Sequence, residues 1–534
     1  MVLKNRIVWK LIVIVCVVLI TQLPYIYALI KEENDFVFGG FLLNPIDGYS
    51  YLAKMYEGWS GEWKFTLPYT AEVGNGSYLF TFYIVLGHLA RIFNLPLLGV
   101  FHGARLITTI VMLLAIARFY ELTLSDERLQ MAAFAVSSLG SGLGWLAIFL
   151  RMTTSDFWVA EGYPFLSAYA NPHFPLGLGL LVWIITPHEE ANKLLPISRV
   201  IYSLSSFGLG LISPFGVLIA ILITGSAFFV AILFQNLERF KTILEQTKGY
   251  GNRFIWIVIG GSPVVLYEYW VQKSDPLLSI WNAQNQTPAP RLLDFILSFS
   301  PALVFALLGA WSVMRKPEVK SCILLLWIGV SFLMVYAPTS LQRRFLMGLF
   351  IPLSVLAIIG LDVFQNGATN QNVSRKFIAR FLLFLILSLP TNVIIILSSL
   401  HGISTHNELV YIHKSEMDAF HWIEGNSSHR SVFLASPETG LLIPAFTGRR
   451  VIFGHPYETV NAEQEERWVK SFFDTKITEG SLKETLSKAS HQVDFIFYGP
   501  REGEISLPGS AVVIASEFFP VYQNNEVTIY RVDK

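Results

Sequence analysis

Apolar runs about as long as a bilayer is thick recur along this chain from its start to about residue 400. A helix needs about 20 apolar residues to cross the hydrocarbon core, and lipid leaves no partner for an unpaired backbone group. Repetition of such runs therefore predicts a polytopic α-helical membrane protein. Spans are expected near 7–30, 98–122, 129–150, 173–188, 200–213, 214–235, 254–271, 292–314, 321–337, 346–364 and 378–400, about eleven in all. The fifth is short, and Pro214 allows it to form one broken hairpin with the sixth. The first run, Val8 to Leu29, follows Lys4 and Arg6, exceeds a signal-peptide core and lacks a small-residue cleavage site, so it reads as a retained anchor. Composition agrees: 15% of residues are charged, against about 25% in soluble domains, and the deficit lies in the first 400 residues. The formal net charge is zero, which gives no support to a nucleic-acid partner. The only cysteines, Cys16 and Cys322, fall inside spans and form no metal or disulfide pattern.

Lysine and arginine collect at Arg118 and Arg128, at Arg239, Lys241 and Lys248, at Arg315 and Lys316, and at Arg375, Lys376 and Arg380. These segments alternate as cytoplasmic loops should, which predicts a cytoplasmic N-terminus, an extracytoplasmic C-terminus and a plasma-membrane setting. The loops 31–97, 151–172 and 271–291 then face outward. Ser77–Phe93 is apolar, but a span there would invert every later loop; with Trp59, Trp63, Tyr69 and Tyr78 nearby it reads as an interfacial helix. The chain divides at about residue 400: 1–400 is the membrane domain and 401–534 a soluble α/β domain. Strand-like runs at 431–435, 450–453, 493–498, 511–515 and 527–532 alternate with helical patterns at 414–424 and 462–474.

Chemistry concentrates in the outer loops. Asp47, just before an amphipathic stretch, suits a general base toward a hydroxyl or a metal ligand, and equally an N-cap for a helix starting at Gly48. Asp156, Glu161 and His173 set two carboxylates and an imidazole on one face, a donor set that suits manganese or magnesium; a solvated loop and a helix cap are the plain alternative. Glu268 ends a span, and Trp281, Asn282 and Gln284 follow; indoles and amides bind sugars well and also anchor ordinary helices at the interface. Arg343 and Arg344 stand on the outer side, where paired arginines are disfavoured, and make a clamp for a lipid phosphate, with headgroup snorkelling as the alternative. Arg105, inside the second span, is costly unless paired and is expected to face the same cavity. In the soluble part, Pro437-Glu438-Thr439-Gly440 and Gly448-Arg449-Arg450 through Gly454-His455 read as structural turns, and no nucleotide-binding glycine fingerprint is present.

The order of these parts resembles the GT-C superfamily of integral membrane glycosyltransferases: an anchor, a long outer loop with an acidic residue (Asp47), a second acidic outer loop (Asp156, Glu161) and a closing soluble domain. Neither loop contains Asp-x-Asp and the chain lacks Trp-Trp-Asp, so it looks more like the members that use a single sugar on polyprenyl phosphate, such as protein O-mannosyltransferases and aminoarabinose transferases. The resemblance implies a GT-C-like bundle and transfer of a sugar from a polyprenyl-phosphate donor in the membrane lipid to an acceptor glycan, lipid or protein. Asp47 would be the base in an inverting displacement, and Arg343 and Arg344 would meet the departing phosphate. Asp156, Glu161 and His173 would orient the acceptor or hold a divalent ion. A multi-span transporter of a lipid-linked or polar substrate is the alternative, since Ser137–Trp145 and Ser213–Gly216 could be broken helices lining a path. The polar candidates, however, cluster at the outer face rather than the midplane.

Overall fold

The computed structural model describes residues 2–186, 196–233, 241–315, 319–363, 370–474, 481–487, 492–507 and 509–532. Each stretch read as a span carries helix among these residues. Among the described residues five helices are long and apolar enough to cross a membrane: Ile7–Ile30, Leu97–Thr123, Glu127–Leu150, Arg253–Ser274 and Lys376–Ser404. Leu292–Phe299 and Ala302–Arg315, bent by 80° at their junction, make a sixth if taken as one span. The remaining spans correspond to shorter apolar helices, among them His173–Ile185, Pro214–Val230 and Phe350–Val363. The chain is a polytopic α-helical membrane protein, and the stretch after Ser77 forms the short apolar helix Thr81–Phe93.

By internal contacts the chain divides into two compact units. The first comprises Met1–Pro24, Gly103–Tyr267 and Thr287–Leu400, and is helical. Its helices Ala302–Arg315 and Phe350–Val363 pack backbone to backbone. A Cβ on Gly309 would run into the Leu356 carbonyl, and one on Gly360 into that of Phe305. Close approach through small residues is how helices associate where no water drives them together.

The second unit comprises Tyr25–His102, Glu268–Gln286 and His401–Lys534, so the first long loop and part of the 271–291 loop cluster with the C-terminal segment. A two-stranded ribbon pairs β1 (Phe36–Phe38) antiparallel with β2 (Tyr411–His413). The main sheet has the order β4-β3-β5-β7-β6, formed by β3 (Val432–Leu434), β4 (Arg450–Val451), β5 (Phe495–Tyr498), β6 (Phe519–Gln523) and β7 (Thr528–Arg531). β3, β4 and β5 run parallel, while β7 is antiparallel to both β5 and β6. Helices against this sheet bury Val469, Phe472, Phe473, Leu482 and Ile514 in one core.

One strand expectation fails: 511–515 lies in the helix Ser510–Glu517. Its β-branched residues suggested a strand, but only one face is covered, with Ile514 buried and Val512 73% exposed. That is a helical distribution, and packing overrides a weak propensity. The strand in this region is β6, which tolerates Pro520 because it is the edge of the sheet.

Candidate functional site

Asp47 lies in the first turn of the helix Pro45–Ser60, within the second unit. The helix does not begin at Gly48. Its N-cap is Asn44, in the left-handed region at φ 49°, followed by Pro45. Asparagine accepts that conformation and proline suits the first helical position, which leaves Asp47 inside the turn rather than capping it. Anionic charge there is favoured by the helix dipole. The Asp47 side chain is 45% exposed, and its Oδ1 lies 3.7 Å from His455 Nε2.

His455 is buried and held by its own turn. Its Nδ1 accepts hydrogen bonds from the backbone N–H groups of Tyr457 and Glu458, each at 3.1 Å, and its ring packs on Tyr69 at 5.5 Å. A nitrogen that accepts cannot carry the proton, so the neutral ring bears it on Nε2, the atom facing Asp47. Thr459 Oγ1 accepts from the His455 N–H at 3.2 Å and completes the turn.

Asp47, Ser50 and Lys54 follow at i, i+3 and i+7, one stripe of the Pro45–Ser60 helix. Lys54 is fully buried and pairs with Glu458 Oε1 at 2.6 Å; Ser50 donates to the same oxygen at 2.5 Å. The rings of Phe80, Tyr51 and Phe65 surround the ammonium at 4.4, 4.9 and 5.6 Å, an aromatic cage that suits a cation. Burial lowers the Lys54 ammonium below its usual range, against the opposing pull of Glu458 and Asp47. Burial likewise works against the charge on Glu458, but Lys54, His455 and Ser50 outweigh it and hold the carboxyl below its ordinary value. Each partner's charge thus opposes the burial cost of the other.

Gln284 donates to the Thr459 carbonyl at 2.5 Å and Asn285 to the Tyr457 carbonyl at 2.7 Å. The 281–286 segment is thus tied to the turn that carries His455. Trp281 and Asn282 are half-buried on the helix Pro276–Gln284, with Trp281 edge-on to Phe80 at 6.2 Å. Glu268 is half-buried on the helix Lys241–Ser274. Arg450 is a structural tie: its guanidinium donates to the carbonyls of Leu67, Thr70 and Glu72 and to Thr66 Oγ1.

In the first unit, Arg344 pairs with Glu161 at 3.0 Å, and the Arg343 guanidinium lies 4.4 Å from the Trp158 ring centre. Asp156 is buried and accepts from the Gly144 N–H at 3.0 Å and from Thr154 Oγ1 at 2.6 Å; burial raises its carboxyl above the usual range. His173 opens the helix His173–Ile185, its ring against Phe174 at 3.9 Å. Asp156 thus accepts on both oxygens from the protein, and Glu161 accepts on one from an arginine. Among the described residues no three His, Cys, Asp or Glu side chains gather as a metal site. Arg105 is buried, donating to the Tyr169 carbonyl at 2.8 Å and to Gln22 Oε1 at 2.7 Å.

No protein-family model and no curated protein matches the chain in sequence. Solved structures do match in fold. The Archaeoglobus fulgidus oligosaccharyltransferase in its apo form overlaps with a TM-score of 0.55 at 13% identity, over 98% of this chain and 74% of that one. The archaeal oligosaccharyltransferase AglB from the same organism, solved with an inhibitory peptide and a dolichol-phosphate, gives 0.53 at 14%, over 92% and 69%. ArnT from Cupriavidus metallidurans, bound to undecaprenyl phosphate, gives 0.48 at 11%, over 97% of each chain. This chain has the GT-C fold.

Sequence reasoning singled out Asp47 but passed over Lys54, Glu458 and the role of His455. The stripe of Asp47, Ser50 and Lys54 was legible, because a lysine among Tyr, Leu, Ala and Met on a helix face calls for a buried partner. Glu458 and His455, some 400 residues away in sequence, gave no local signal.

Proposed function

We propose that this protein is a membrane glycosyltransferase that moves a sugar from a polyprenyl-phosphate donor to an acceptor hydroxyl at the outer face of the membrane, with inversion. The observation that carries the reading is Asp47: a half-exposed carboxylate on the first turn of a helix, facing an imidazole N–H and standing near a buried ion pair. The GT-C fold supports it, and the dolichol-phosphate in the AglB structure supports the donor class.

In the proposed reaction the acceptor oxygen bonds to the anomeric carbon and gives its proton to Asp47. The bond from that carbon to the phosphate oxygen breaks on the opposite side, and its electron pair leaves on the phosphate. Arg343 and Arg344 are assigned to the donor phosphate because guanidinium groups pair well with phosphate oxygens and stand where the positive-inside pattern disfavours them. Glu161 then serves to hold Arg344. Trp281, Asn282, Gln284 and Glu268 are assigned to sugar or acceptor. An extracytoplasmic 401–534 segment and a cytoplasmic N-terminus in the plasma membrane complete the proposal, on the distribution of lysine and arginine.

The test is transfer of radiolabelled sugar from a set of polyprenyl-phosphate donors by the purified protein in lipid, beside Asp47→Asn. Loss of about 100-fold or more in the variant is expected for removal of a general base. Transfer at an undiminished rate would remove Asp47 from the chemistry.

A further inference from the structure

We propose that His455 is a positioning residue for Asp47, holding its carboxylate in place through the Nε2 hydrogen. The inference rests on Asp47 being the base, and adds a part that the outer-loop sequence does not contain. Three observations carry it. The ring is fixed at its far end, because Nδ1 accepts from two backbone N–H groups. That bonding leaves Nε2 as the protonated nitrogen, and this buried atom makes no hydrogen bond within the described residues. It faces Asp47 Oδ1 at 3.7 Å.

The surroundings explain why the arrangement is rigid. Tyr69 packs on the imidazole and is itself tied, its hydroxyl donating to the Leu441 carbonyl at 3.1 Å. Glu458, whose N–H is one of the two donors to Nδ1, is bound through its carboxylate to Lys54 and Ser50 on the Asp47 helix. The turn carrying His455 and the helix carrying Asp47 are thus joined by the Lys54–Glu458 ion pair, which leaves the imidazole facing the carboxylate at 3.7 Å. An N–H facing one oxygen favours a single orientation of the carboxylate toward the acceptor.

Two substitutions separate the halves of the ring. His455→Asn keeps an acceptor near the Nδ1 position, able to take the backbone N–H groups of 457 and 458 as an Asx-turn, but has no donor toward Asp47. His455→Gln reaches further and carries an N–H near the Nε2 position, at the cost of the turn. Donor-to-acceptor transfer is measured for both with the full chain in lipid, as kcat and as KM for each substrate. The expected result is that His455→Asn loses about tenfold or more in kcat with KM within about twofold, while His455→Gln keeps kcat within about threefold of the parent. His455→Asn at the parent's kcat overturns the proposal. So does a His455→Gln protein as slow as His455→Asn, since then the turn and not the N–H is what matters. Failure of the underlying reading shows separately, in the parent protein, as no transfer or as transfer that survives Asp47→Asn.

Discussion

The Lys54–Glu458 pair is buried where an unpaired charge would be expensive, and that asymmetry makes its energetics testable. Taking either partner away leaves the other charge without compensation, which costs about 3–5 kcal/mol in other buried pairs, whereas replacing both is far less harmful. Glu458→Gln is therefore expected to lower the thermal midpoint sharply, and Lys54→Met with Glu458→Gln to recover much of the loss; a fluorescence melt in detergent reads both. The same pair gives a pH dependence. Glu458 is held below its unfolded value, so its contribution is complete above that value, about 4.3, and is lost as pH falls through the lower folded one. The parent should lose stability on acidification below about pH 4 more steeply than the double variant. A parallel loss in both would show that other carboxylates dominate.

Elements in this chain meet through glycines at the points of closest approach. Gly58 and Gly87 let the Pro45–Ser60 and Thr81–Phe93 helices touch: a Cβ on Gly58 would strike the Ile84 carbonyl, and one on Gly87 that of Met55. In the membrane unit Gly309 and Gly360 do the same for Ala302–Arg315 and Phe350–Val363. Gly309→Ala should cost about 1–3 kcal/mol, because the added methyl can only be housed by pushing a backbone away. Gly329 is the control, since a Cβ there meets nothing within 4 Å. Gly329→Ala should be neutral or stabilise its helix by up to about 1 kcal/mol. Equal melting temperatures for the two variants would show that the Gly309 contact is not close in the protein.

On the scale of the whole molecule, the proposed orientation puts the 401–534 segment outside the cell and the Arg118 end of its helix inside. Single cysteines report this directly in a background lacking Cys16 and Cys322. At Glu463, whose side chain is 89% exposed, a cysteine should react with a membrane-impermeant maleimide in intact cells; at Arg118, 54% exposed, one should react only after lysis. The reverse pattern would place the Asp47 loop in the cytoplasm and end the outer-face reading.

The fold class followed from local features alone, because a run of about 20 apolar residues can satisfy its backbone in lipid only as a helix, whatever its neighbours are. Strands at 432–434, 495–498 and 528–531 were legible for a related reason: short β-branched and aromatic runs bounded by turn residues have few other uses. Asp47 was legible as a candidate because its setting is local. The rest depended on contacts between distant parts of the chain. Helix won over strand at 510–517 because packing, not propensity, chose which face is covered. Arg105 is engaged by Tyr169 and Gln22, partners that no spacing announces. The setting of Asp47 is decided in the same way, since its imidazole comes from residue 455 and the ion pair beside it from 54 and 458. Local chemistry names which side chains can react; only tertiary contacts, which cost chain entropy to close and leave no periodic trace, decide what faces them.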